Sequence, residues 1–411
     1  MYQMDPQHTG RSPHVGPRRA VLLRSFDSGS FPTQDPALPR PDIQSSAAIG
    51  PDGTIYIGNY PGNLFALRDP GSGDRLEVLW RFHPPGQTLL HATPALGRDG
   101  TVYLGFGTLG QIPGAPGPAP EPRMTFYALK APPSGIDPQV VWSVDFGFGR
   151  PTSSPTVAAD GTIYAVSGAG KLFAIAPDGT VKWTIQTGPV TKSSPALGPD
   201  GTVYVPSMDG KLYAVAPPSA GARDGSLRWS FDFGQHLGPT PLVTSEQGAG
   251  GGANGIGSGA SPTIAPDGMI YIGANNSNFY AIAPDGSLKW LFEAERELAG
   301  IWSTAVLSAD NSTLYFAANK GGVYALNRAD GSLRWRFDVY GSIYSSLALD
   351  RQGTLYSGSS IGHLFALDSA NGQAIFDYDA GRPIWTAPSI RPDGSLVVAD
   401  RGGRIMLFGA G

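Results

Sequence analysis

The sequence predicts an all-β fold: an eight-bladed β-propeller of four-stranded antiparallel blades, closed by an N-terminal strand that completes the last blade. Three observations predict it. An Asp-Gly pair or a close variant recurs eight times, mostly roughly 40–47 residues apart. Each pair lies between short runs rich in Val, Ile, Tyr and Thr, the residues that suit a pleated surface. Glycine and proline (57 and 38 of 411 residues) make up nearly a quarter of the chain, while Glu occurs six times. That composition disfavours helices and favours strands joined by tight turns.

The elements of one unit follow in order from the stretch around Ser193. Strand A is SSPAL, and a Pro-Asp-Gly turn leads to strand B, TVYV. A glycine-containing turn leads to strand C, KLYAV, and a second Asp-Gly turn leads to strand D, LRW. The A–B turn recurs at Asp52, Asp99, Asp160, Asp200, Asp267 and Asp393, each followed by Gly. Asp310-Asn311 and Gln352-Gly353 are the variants, and Asn is the best substitute where φ must be positive. Three further columns repeat: Tyr on strand B (Tyr56 to Tyr356, then Val397), Ala on strand C (Ala66 to Ala366, then Leu407), and Trp on strand D (Trp80 to Trp335, then Phe376).

The eighth copy stops at Phe408, before any strand D. Val21–Asp27 (VLLRSFD) resembles a strand D, with Phe26-Asp27 matching Phe231-Asp232. It is therefore expected to complete the last blade, so that 1–411 forms a single domain with no open sheet seam. Blades are expected to start near residues 44, 91, 152, 192, 259, 302, 344 and 385.

The exclusions are equally concrete. Without cysteine there is no disulfide, no Cys-based zinc site and no thiol nucleophile. A net charge of -4 gives no footprint for nucleic acid. No apolar run reaches the ~20 residues of a membrane-spanning helix, and no charged-then-apolar leader is present. The sequence carries no P-loop, G-x-S-x-G elbow, H-E-x-x-H or Rossmann fingerprint. A monomer is expected.

The repeat resembles the PQQ-like (quinoprotein-type) propeller family over nearly the whole chain. The motif Ala-x-Asp-x-x-x-Gly-x-x-x-Trp is matched by Ala325 to Trp335, with Asn327 for Asp, and by Ala366 to Phe376, with Phe for Trp. The broad likeness is to BamB-like scaffold propellers and secreted repeat proteins. The opening Asp5 to Ser12 (DPQHTGRS) resembles the start of many exported proteins of this class. The resemblance implies a periplasmic or secreted protein whose leader is not in this sequence, with a cytoplasmic place left open. True quinoprotein dehydrogenases hold PQQ with a vicinal disulfide, a calcium site and a catalytic Asp. With no Cys and no recognisable calcium-ligand cluster, PQQ is not expected, and structural calcium is left open without support. BamB-like lipoproteins carry an N-terminal lipidated Cys, which this sequence lacks.

Function is sought where the repeat varies. The residue eight positions before the A–B turn Asp is Gln44, His91, Thr152, Lys192, Gly259, Trp302, Tyr344 and Trp385 in turn. It opens the innermost strand and is expected to ring the mouth of the central channel. Its neighbours repeat, yet it does not. Aromatics on blades 6–8 face polar groups on blades 1–4, a cup suited to a small molecule, a glycan or a protein side chain. Two insertions, Thr108 to Arg123 and Gln235 to Ser258, are expected on the same face. His8 and His14 read as terminal and uninvolved. The favoured reading is a non-redox binding or scaffold module. The alternative is a mouth-centred enzyme, such as a polysaccharide lyase, with His91 or His236 as base, Tyr344 as acid and Lys192 as charge stabiliser. A PQQ-dependent dehydrogenase ranks third.

Overall fold

The structure is a computed structural model that describes residues 5–30, 41–86, 90–108, 123–190, 193–219, 224–236, 257–294, 300–319 and 322–409. These residues form eight four-stranded antiparallel sheets and no α-helix. Seven sheets run A-B-C-D in chain order. In the eighth, Ser389–Ile390, Leu396–Ala399 and Arg404–Gly409 supply strands A to C, and Val21–Asp27 supplies strand D. The N-terminal strand pairs with the last one from Val21↔Gly409 to Asp27↔Arg404. The architecture is the eight-bladed propeller that the repeats predict.

The repeated columns are cross-strand partners. In blade 5, Tyr271 lies opposite Ala281, and Ala281 opposite Trp290. Alanine is small enough for the tyrosine to lean across it, and the Tyr271 and Trp290 rings meet at 5.8 Å. The same pairing recurs at Tyr56–Trp80, 5.7 Å, and Tyr315–Trp335, 5.8 Å. The tryptophan then reaches the next blade. Trp290 donates its indole N–H to the Arg328 carbonyl at 3.0 Å, and Gly331 of that C–D turn lies on its ring. A Cβ at Gly331 would stand 2.6 Å from the indole, and its φ is +73°. Glycine is required there on both counts. The A–B turns close locally: Asp200 accepts from the Thr202 amide (3.1 Å) and hydroxyl (2.8 Å). Asn311 takes φ 57°, as its substitution for glycine requires.

The seam between blades 8 and 1 uses different chemistry. Arg24 lies opposite Leu407, which lies opposite Val397, so Arg24 holds the register of the docking tryptophan. It pairs with Asp69 in the C–D turn of blade 1 at 2.9 Å and donates to the Ser72 carbonyl at 3.3 Å. Arg391 reaches the other Asp69 oxygen at 3.5 Å.

Strand A is shorter than the predicted SSPAL. In every blade its ladder is two residues, as at Ala196–Leu197. In five blades the residue before the ladder is proline (Pro94, Pro155, Pro195, Pro262 and Pro388), which has no N–H to donate. The residues ahead of it spend their polar groups elsewhere, and this shapes the channel.

Candidate functional site

Two hydroxyl columns fasten the start of strand A. The residue after the ring position ties the strand to its own blade. Ser303 donates to the Ala317 carbonyl at 2.9 Å and accepts from the Ala317 amide at 2.7 Å. Ser45 and Thr386 make the same two bonds to Gly58 and Ala399. The residue after that ties each blade to the next. The Ser46 amide donates to Thr93 Oγ1, the Thr93 amide to Ser154 Oγ, the Ser154 amide to Ser194 Oγ and the Ser194 amide to Ser261 Oγ, at 2.8–3.1 Å. The belt continues through Thr304 and Ser346, and the Ala387 amide returns it to Ser46 Oγ at 2.9 Å. Where these positions carry hydroxyls, the first column bonds strand A to its own blade and the second bonds one blade to the next, which explains why small hydroxyl residues recur there. The ring position belongs to neither column.

That position projects into one cavity. Gln44, His91, Thr152, Gly259, Trp302, Tyr344 and Trp385 all line it, with belt residues such as Ser46, Thr93 and Ser154 beneath them. Each of the seven is half-buried between two buried neighbours. The cavity measures about 80 Å³. Trp302, Tyr344 and Trp385 form a continuous wall, with centroids 5.5 and 4.7 Å apart and planes inclined at 48° and 53°. Arg401, in the B–C turn of blade 8, lies 3.8 Å from the Trp385 centroid. Asp42 grips it with contacts of 3.0, 3.2 and 2.6 Å. Asp42 also accepts from Gln44 Nε2 at 2.9 Å, so its charge is committed to one network. Across the ring, His91 packs against Tyr60 at 4.9 Å. Burial pushes the Tyr60 phenol above its usual range, with Arg150 acting against it.

The candidate catalytic set is only partly brought together. His91 and Tyr344 line the same cavity from blades 2 and 7. Lys192 lies outside the described residues. His236 ends the short turn Phe233–His236, and its side chain is not described. Residues 109–122 and 237–256, the bulk of the two insertions, also lie outside. Among the described residues, no group of three or more His, Asp or Glu side chains is arranged to hold a metal ion.

The opposite end of the channel corrects one expectation. The N-terminal segment is not a loose tail, and His8 is fully buried. Residues 6–10 lie along the far ends of four consecutive inner strands. The amides of Leu197, Ile264, Leu307 and Leu349 donate to the carbonyls of Pro6, Gln7, Thr9 and Gly10 at 2.8–3.0 Å. Each donor is five residues beyond its ring position, roughly 16 Å of extended chain. Asp5 folds the segment by accepting from the Thr9 amide at 3.0 Å and from its hydroxyl. His8 Nδ1 meets the Pro262 carbonyl at 3.2 Å, and Nε2 lies 3.4 Å from Thr156 Oγ1. Burial lowers the His8 pKa to about 4. His14 sits further along, its carbonyl accepting from the Arg351 amide at 3.0 Å. A sequence signal was present in DPQHTGRS, but no repeat marks a segment used once.

Fold and channel together define a class: a PQQ-like repeat propeller with a cavity at one end of its channel and its own N-terminal segment across the other. The chain belongs to the family whose model, described as outer membrane protein assembly factor BamB, matches residues 134–245 and 174–401. No curated protein matches it. Among solved structures, BamB from Moraxella catarrhalis aligns over 95% of this chain and 98% of its own, with 14% identity and a TM-score of 0.61. Quinohemoprotein alcohol dehydrogenase from Comamonas testosteroni aligns over 100% of this chain and 80% of its own, with 13% identity and a TM-score of 0.69. Sqt1 from Saccharomyces cerevisiae aligns over 95% and 98%, with 13% identity and a TM-score of 0.66. Likeness at this identity is a likeness of fold.

Proposed function

We propose that this chain is a non-redox binding module of the cell envelope or exterior, engaging a ligand or partner at the channel mouth. The observation that carries the reading is the contrast within strand A. Hydroxyls recur at two positions that bond strand A in place, while the position beside them is diversified and lines one cavity in the seven blades where it is described. A position outside the repeated pattern is where a binding surface can vary on a common scaffold. The family's printed role in outer membrane protein assembly favours an envelope location and a scaffold role.

We assign no PQQ. The one mouth carboxylate described above, Asp42, is committed to Arg401. The lyase alternative draws support from His91 and Tyr344 facing one cavity. The discriminating experiment is a ligand and substrate screen of the wild type beside Trp385→Ala and Tyr344→Phe. Ligands that bind the wild type, weaken with Trp385→Ala and return chemically unchanged fit the module. Turnover lost in Tyr344→Phe would replace it with the enzyme. Binding indifferent to both variants would remove the mouth from the account.

A further inference from the structure

We propose that the mouth cavity takes the terminal pyranose of a glycan, inserted end-on. This rests on the mouth being the binding site. Four observations carry it. The first is size. A cavity of about 80 Å³ has room for about six water centres, roughly the number of waters that one hexose displaces. The second is the wall. Trp302, Tyr344 and Trp385 present inclined faces around one side, a surface that matches the C–H face of a pyranose. The opposite rim offers an amide, an imidazole and a hydroxyl from Gln44, His91 and Thr152, which suit the hydroxyl edge of the same ring.

The third observation is Gly259. Its φ is not in the left-handed region, and a Cβ there would meet nothing tighter than Trp302 at 3.8 Å, an ordinary contact. Neither backbone conformation nor crowding requires glycine at this position. What its missing side chain leaves is space in the cavity lining beside Trp302. The fourth is the floor. The N-terminal segment lies across the far end, with His8 bonded at the level of Pro262 and Thr156. A chain cannot thread through. It must enter and leave by the mouth, so only an end fits.

The test uses the intact chain. Calorimetry and tryptophan fluorescence are read against linear gluco-, manno- and chito-oligosaccharides, oligouronates, the matching monosaccharides and a cyclic glucan. At least one linear saccharide is expected to bind and the cyclic glucan not to. Gly259→Ala is expected to weaken binding roughly tenfold or more with an unchanged melting temperature, because the added methyl occupies the sugar's place. Trp302→Ala should do the same, and Gly259→Ala keeps the test valid if Trp302→Ala fails to fold. Equal affinity for mono- and oligosaccharide identifies a free sugar, and higher affinity for the oligomer identifies a glycan end. Both support the pyranose site. Cyclic glucan bound as tightly as linear overturns end-on entry. No saccharide bound, with a peptide or other ligand still weakened by Trp385→Ala, overturns the sugar and leaves the binding module standing. Saccharide binding indifferent to Gly259→Ala and Trp302→Ala overturns the site itself.

Discussion

The two ends of the channel are built from the same eight strands and solve opposite problems. At the mouth, seven described blades contribute one residue each, and the contributions differ around the ring: an amide, an imidazole, a hydroxyl, a bare glycine, a phenol and two indoles. At the floor, one continuous segment satisfies four blades in succession through its backbone carbonyls, with a buried histidine inside. The mouth carries variety because its side chains lie outside the two hydroxyl columns that bond strand A in place. The floor has no repeat to vary, because the amides of four inner strands meet the backbone carbonyls of a single strip of chain. Symmetry provides eight equivalent places, and function or closure breaks it at each end by a different route.

The largest expected effect comes from removing the floor altogether. Deleting residues 1–27 takes away the outer strand of blade 8, the Arg24–Asp69 seam and the floor. The expected loss exceeds about 5 kcal/mol, because the ladder, the floor bonds and their packing go together. Thermal denaturation measures it, and an unchanged melting temperature would show that neither closure nor floor matters.

His8 gives the next effect. Its pKa is about 4 in the folded chain against 6.5 for an ordinary histidine, so it is held neutral. Its contribution to stability is complete above about pH 6.5 and falls as pH drops towards 4, by about 3 kcal/mol at most. Asp5, whose carboxyl burial raises, acts in the opposite direction. The difference between wild type and His8→Gln across denaturant titrations at several pH values isolates the histidine. Parallel pH profiles would place His8 in water.

Ser154→Ala tests the belt between the two ends. It leaves the buried Thr93 amide without its 2.9 Å acceptor, and the expected cost is about 2 kcal/mol by urea denaturation. Thr152→Ala, two residues earlier and in the ring, is expected to change stability by less than about 0.5 kcal/mol in the same measurement. If the two costs are equal, the division between assembling and lining residues fails.

Much of this was legible in the chain, for a reason that particular residues show. Tyr271, Ala281 and Trp290 repeat because blades 1 to 7 need the same contact, so six full copies and one with Phe376 for Trp announce it. The diversified column, from Gln44 to Trp385, was legible as the one member of a repeating frame that does not repeat. Arg24 was partly hidden. The strand was recognisable from Phe26-Asp27, but nothing in VLLRSFD shows that an arginine stands in for a tryptophan and meets Asp69. The floor was missed. His8 occurs in a motif used once, and its partners Pro262 and Thr156 lie 254 and 148 residues away.

The sequence by itself determined the blades: their number, their turns, their Tyr-Ala-Trp cross-links and the ring position that varies. These are local patterns, and a short-range contact repeated eight times leaves an eightfold trace. Only the tertiary structure decided what the ring encloses and what closes it. Cavity size, the inclination of three aromatic rings, the space at Gly259 and the burial of His8 arise when distant strands converge on one axis. Such convergence is a property of the closed ring, and no single repeat contains it.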